Sequence, residues 1–145
     1  MSTVISILAL IISATSLGIS WYFGFRDRYK LKTECVYFPE SEYGPATLRV
    51  RVVNVGRRMA ILRLFGGNHV GGGTSGEYLD HKSGGLTLKE NEVFERTLDK
   101  EGIHDMGPDG EIVQYKVLWI EDTRGHRHKI SKSRKYIRRL IRDAK

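Results

Sequence analysis

Hydrophobic and polar positions change their period twice along this chain. From Thr3 to Phe25 no residue carries a charge. At 1.5 Å rise per residue a helix over this run reaches about 34 Å, enough to cross a hydrocarbon core of about 30 Å. Beyond it the pattern alternates: Leu48, Val50 and Val52 stand against Arg49 and Arg51, then Ala60, Leu62 and Leu64 against Ile61 and Arg63. Period two sends alternate side chains to opposite faces of a strand. It predicts strands near 30–38, 46–55, 58–66, 76–81, 92–99, 112–121 and 126–131. Turn chemistry separates them at Pro39, Gly44-Pro45, Gly56, 71–73, Gly84-Gly85, 108–110 and Arg124-Gly125.

The helical period returns over 131–144, with Ser131 or Ser133 available as N-cap. Tyr136, Ile137, Leu140 and Ile141 fill an arc of about 140°, and Arg134, Lys135, Arg138, Arg139, Arg142 and Lys145 take the other side. The chain thus divides into a transmembrane anchor with a basic flank (1–28), a β domain (29–131) and a basic amphipathic helix (132–145). Six or seven short strands in about 100 residues predict a mainly β fold, an antiparallel immunoglobulin-like β-sandwich. A small closed barrel is the alternative, because pattern alone does not fix sheet closure.

Trp21, Tyr22, Phe23 and Phe25 close the apolar run with aromatics suited to a membrane interface. A cleaved signal peptide would begin with basic residues and end with small ones. Neither is found, so the segment reads as a retained single-pass anchor. Arg26, Arg28, Lys30 and Lys32 follow it, and the positive-inside rule places them, and the domain, on the cytoplasmic face of the inner membrane with the N-terminus outside. Ser2, Ser6, Ala9, Ser13, Ser16 and Ser20 recur at alternating spacings of four and three. They form a stripe about 80° wide along which helices can approach closely, giving a homo-oligomer. Small residues are also common in any membrane helix, so the stripe alone does not decide this.

Val50-Arg51-Val52-Val53-Asn54-Val55-Gly56-Arg57-Arg58, followed by Ile61, Leu62 and Leu64, resembles a hairpin of many short bacterial and phage proteins, with Met59 where proline is frequent. Trp119-Ile120-Glu121-Asp122-Thr123-Arg124-Gly125-His126-Arg127 is similar to their final hairpin. Those mostly uncharacterised proteins carry one N-terminal membrane helix and a small immunoglobulin-like sandwich. The resemblance implies that fold and topology here and carries no catalytic residue.

The net charge of +7 is unevenly spread: residues 26–32 hold +3, residues 124–145 hold +9, and the body between them −5. A lone cysteine, Cys35, excludes an internal disulfide framework and reads as a core thiol. The C-terminal helix is marginal alone, because Arg134, Arg138 and Arg142 repeat like charge at i, i+4. It needs a surface. The anionic inner leaflet, where the apolar arc could embed, is one; the chain's own sheet is a second, and nucleic acid or an acidic protein are others. Anionic-surface binding would fall to Arg134, Lys135, Arg138, Arg139 and Arg142.

No catalytic constellation emerges. Gly67, Gly72 and Thr74 match part of a phosphate-loop spacing, but Gly73 stands where lysine is required, so 66–76 reads as a flexible exposed recognition loop. His126 and His128 with Glu121 or Asp122 fall short of a four-ligand zinc set. His69, His81 and His104 have no spaced partner, and Glu90, Glu92 and Glu95 read as a solvated strand face. The expectation is a membrane-anchored, non-enzymatic interaction module without cofactor or metal, meeting an unknown cytoplasmic protein. A pore-forming or membrane-disrupting, holin-like protein and a membrane-tethered nucleic-acid binder are the alternatives.

Overall fold

The computed structural model describes residues 2–26, 28–107 and 109–143, with only the backbone of Ser2, Phe25 and Arg26. Among the described residues helix α1 (Ser2–Arg26) is followed by nine strands and a final helix. Its segment Thr3–Gly24 is long and apolar enough to cross a membrane, and none of it is buried in the protein.

Strands β1 (Leu31–Phe38), β2 (Thr47–Asn54) and β6 (Val93–Leu98) form one antiparallel sheet in the order β1-β2-β6. The second sheet is built on β3 (Ala60–His69) and β8 (Ile112–Asp122). Its order is β4-β3-β8-β7, with β4 (Thr74–Tyr78) and β7 (His104–Met106) on either side. Short β5 (Leu86–Leu88) pairs with β3, and β9 (Arg127–Lys129) with β8. The alternation read from the sequence is the burial pattern of 48–52 and of 60–62; beyond Leu62 a shift in the β3–β8 register leaves Leu64 half-buried and puts Phe65 in the core instead. Leu48, Val50 and Val52 from one sheet meet Leu62, Phe65, Leu118 and Ile120 from the other in a single core, which Cys35 joins as a buried thiol.

Helix α2 (Ser133–Asp143) completes that core, with Ile137 and Leu140 fully enclosed and Tyr136 and Ile141 packed at its margin. The prospect that this arc embeds in the leaflet is therefore overturned. A short helix folds on the nearest apolar surface, which is its own sheet. Ser133 is not an N-cap. Its hydroxyl accepts a hydrogen bond from the Leu118 amide (3.2 Å) and donates to the Ile130 carbonyl (2.8 Å), tying the helix start to β8. At the far end the Tyr37 hydroxyl donates to Asp143 (2.9 Å).

The segment 66–76 is also not the flexible loop its glycines suggested. β3 runs through Gly66 and Gly67 to His69, and only 70–73 are left to turn. A Cβ on Gly66 would lie 2.1 Å from the Ser75 carbonyl oxygen, and one on Gly67 would lie 2.3 Å from the Tyr115 ring. These glycines serve close approach of strand and ring.

Because Leu140 belongs to the core, Leu140→Ala should lower the unfolding free energy of the full chain by about 3 kcal/mol, read by denaturant titration in neutral detergent. A helix that folded only on lipid would leave that value unchanged.

Candidate functional site at the end of the apolar helix

The segment joining α1 to β1 is fastened to the domain by two buried polar side chains. Asn54, at the end of β2, is fully enclosed. Its amide nitrogen donates to the carbonyls of Arg58 (2.7 Å) and Leu88 (3.0 Å), and its side-chain oxygen accepts from the amides of Gly56 (3.0 Å) and Lys30 (3.4 Å). The Val55 amide adds a bond to the Lys30 carbonyl (2.7 Å). Gly56 lies so close to the joining segment that a Cβ there would stand 2.3–2.6 Å from backbone atoms of Arg28, Tyr29 and Lys30. The β2–β3 turn is thereby locked beside the point where the chain leaves α1.

Asp122, at the end of β8, is the second hub and is 2% exposed. One carboxylate oxygen accepts the Tyr29 hydroxyl and lies 3.2 Å from His128 Nε2; the other accepts the amides of Arg124 (2.8 Å) and His126 (3.0 Å). Burial alone would raise its pKa, but the hydrogen bonds from Tyr29, the His126 amide, His128 and the Arg124 amide outweigh it and bring it down to about 2. The same bond to Asp122, with burial, pushes the Tyr29 phenol up.

Between these hubs opens a cleft of about 540 Å³ lined by Gly24, Arg28, Tyr29, Arg58, Arg124 and His128. Among the described lining residues three are guanidinium cations and none is a carboxylate. The Arg124 guanidinium lies 5.6 Å from the Tyr29 ring centre. A smaller adjoining recess is lined by Tyr29, Met59, Ile61, Asp122, Thr123 and Arg124, and Met59 is 61% exposed. Cations beside exposed apolar side chains, at the end of an apolar helix, are suited to hold an anion with a hydrophobic attachment.

The sequence-predicted residues separate on this frame. Trp21 and Tyr22 are exposed near the end of α1, and Arg28 lines the cleft. Lys30 contributes its backbone to the fastening, Lys32 pairs with Glu34 (2.9 Å), and the side chain of Arg26 lies outside the described residues. Ser6, Ala9, Ser13, Ser16 and Ser20 are all exposed on α1. On α2, Arg134, Lys135 and Arg138 line a second cleft of about 530 Å³ with Lys129 and Lys132. Arg139 and Arg142 instead pair with Asp143 at 3.3 and 3.1 Å, Arg139 also lying 4.6 Å over the Tyr37 ring. His126 and His128 both face Asp122, and among the described residues no group of three ligating side chains could hold a metal.

Sequence reading missed a polar cluster of His69, Ser75, Asp105 and Tyr115, because only the strand register brings these residues together. His69 Nε2 lies 2.7 Å from Ser75 Oγ, Ser75 donates to Asp105, and Tyr115 donates to the same carboxylate oxygen (2.7 Å). Burial raises the Asp105 pKa, yet the bonds from Ser75, Tyr115 and the Met106 amide hold it below the usual value. Serine here stands between imidazole and carboxylate, whereas a nucleophilic triad needs the imidazole in the middle. These bonds link the β3–β4 hairpin to β7 and β8.

Asp122 sets a pH dependence. Its carboxyl titrates at about 2 when folded against an ordinary 3.8, so between these values the unfolded chain binds more protons and stability rises with pH. The contribution, about 2 kcal/mol, is complete above about pH 4 and is lost as pH falls through about 2. Asp122→Asn should abolish this portion of the acid dependence while lowering stability at neutral pH, measured by unfolding the full chain in detergent across that range. An unchanged acid limb in the variant would contradict the assignment.

No protein-family model matches the chain, and no curated protein matches it. Four solved chains match; one is the X-ray structure of a Northeast Structural Genomics Consortium target, 13% identical, with 72% of this chain and 82% of that chain covered and a TM-score of 0.30. At that level of likeness neither fold nor chemistry is carried over from it.

Proposed function

We propose that the chain is a single-pass membrane-anchored, non-enzymatic interaction module whose domain rests by its cationic end on the anionic inner leaflet. The observation that carries this reading is the location of the cleft. Arg28, Arg58 and Arg124 converge with exposed Met59 at the same end of the domain into which the apolar helix feeds. Each basic residue near anionic headgroups contributes about 1 kcal/mol, and the apolar helix keeps the leaflet within reach. The basic flank puts this face in the cytoplasm with the N-terminus outside.

The domain itself is read as an immunoglobulin-like sandwich. Support comes from its pairing order: β1-β2-β6 faces β4-β3-β8-β9, which corresponds to strands A-B-E against C′-C-F-G of that fold. With the apolar arc of α2 enclosed, the remaining role for its basic face is docking. Lys129, Lys132, Arg134, Lys135 and Arg138 offer a lateral surface for an acidic cytoplasmic protein. The small-residue stripe of α1 allows two or more such modules to assemble.

Hydrogen exchange of the full chain in lipid nanodiscs tests the resting position. Amides of Val55–Met59 and Thr123–His126 should exchange several-fold more slowly in bilayers rich in phosphatidylglycerol than in phosphatidylcholine, while Val70–Gly73, at the other end of β3, should not change. Equal rates in both bilayers at all three turns would reject the leaflet contact.

A further inference from the structure

We infer that the basic face at the start of α2 holds an unstructured acidic segment of a partner protein, a run of successive Asp or Glu residues, an inference that rests on the acidic-partner reading of this face above. Lys129 at the end of β9, Lys132 in the turn, and Arg134, Lys135 and Arg138 on α2 line one cleft of about 530 Å³ with Ile130 and Ser133. All five cations are exposed, and among the described residues none of them forms an ion pair. Further along the same helix Arg139 and Arg142 are matched by Asp143. Glu34, which lies within the field of Lys132, is paired with Lys32 (2.9 Å), and the first turn of α2 contains no acidic residue. Arg134 and Arg138 repel at i, i+4, and Lys135 and Arg138 at i, i+3. Carboxylates arriving from outside relieve that repulsion.

The make-up of the cleft selects the form of the partner. A folded protein surface is gripped by apolar and aromatic side chains at the centre of its contact. Here the one apolar residue of the lining, Ile130, is fully enclosed, and no aromatic ring lines the cleft. The hold is therefore electrostatic. Exposed lysine and arginine side chains move on flexible stems, and a mobile run of carboxylates can follow them where a rigid acidic surface would meet only some. Without a ring there is also no platform for the stacked bases of single-stranded nucleic acid. The unmatched cations end at Arg138, since Arg139 and Arg142 turn to Asp143, short of the track that the phosphates of a duplex would follow.

Binding of a fluorescein-labelled ten-glutamate peptide to the full chain in neutral detergent, read by fluorescence anisotropy, tests this. The peptide should bind, and its affinity should fall about tenfold or more between about 50 and 200 mM salt. Lys132→Gln, Arg134→Gln and Arg138→Gln together should weaken it about tenfold or more. Arg57→Gln, Lys82→Gln and Lys89→Gln, which remove the same charge from exposed positions elsewhere, should leave it within about twofold; retained near-ultraviolet circular dichroism certifies folding in each case. Absence of peptide binding, or equal binding by the two triple variants, overturns the inference. A folded protein of strongly negative surface, such as a supercharged green fluorescent protein, separates it from the reading beneath. Binding of that protein through Lys132, Arg134 and Arg138, with none of the peptide, sinks the unstructured segment alone, and binding of neither sinks the acidic-partner reading as well. Tighter binding of a ten-nucleotide thymidine oligonucleotide than of the peptide, lost in the first triple variant, would assign the face to nucleic acid and overturn both.

Discussion

The arrangement depends on how the chain is held where it passes from α1 into β1. A free linker of four residues between α1 and β1 would let the domain turn freely relative to the helix, and no surface would be favoured. Instead the Lys30 backbone is paired to Val55 and Asn54, and the Tyr29 hydroxyl is bound to Asp122. Both hubs are buried and use most of their hydrogen-bonding capacity, which is the condition under which burial of a polar group does not destabilise. From this fastening follow the place of the β2–β3 and β8–β9 turns and the convergence of their arginines.

Two adjacent carboxylates at the end of β8 divide the electrostatic work. Glu121, 4% exposed, is matched by the guanidiniums of Arg63 and Arg127, and Arg127 also lies 4.3 Å over the Trp119 ring. Its hydrogen bond from Arg127 holds its pKa below the usual range despite burial. Asp122 is instead satisfied by backbone amides, a phenol and an imidazole. The polar cluster of His69, Ser75, Asp105 and Tyr115 holds the other end of the same sheet by comparable means.

Much of this was legible from the alternation of residues. The period-two runs located Leu48, Val50, Val52, Ala60 and Leu62 in the interior but not Phe65, which a register shift after Leu62 turns inward in place of Leu64, and the wheel of α2 marked Ile137 and Leu140 as apolar without showing what encloses them. What the pattern could not convey was the role of particular small residues. The glycines of 66–76 signal a loop by composition, yet Gly66 and Gly67 are strand residues opposed to Ser75 and a tyrosine ring. β5 and β7 have three residues each, too few to register as alternation. Arg28 was identified for its place beside the apolar run. Arg58 and Arg124 look like ordinary turn residues, because only the buried bonds of Asn54 and Asp122, far apart in sequence, bring them to one cleft.

The most direct test of the account is which side of the membrane the domain occupies. Ser2→Cys and Tyr43→Cys, prepared separately, can be labelled in intact cells with a membrane-impermeant maleimide; Tyr43 is 96% exposed in the domain. Cys35 needs no replacement, since it is buried and burial pushes its thiol up to about 11. The account predicts labelling at position 2 in intact cells and at position 43 only after the membrane is permeabilised. Labelling at position 43 in intact cells would put the cationic cleft outside, away from the anionic inner leaflet, and would contradict it.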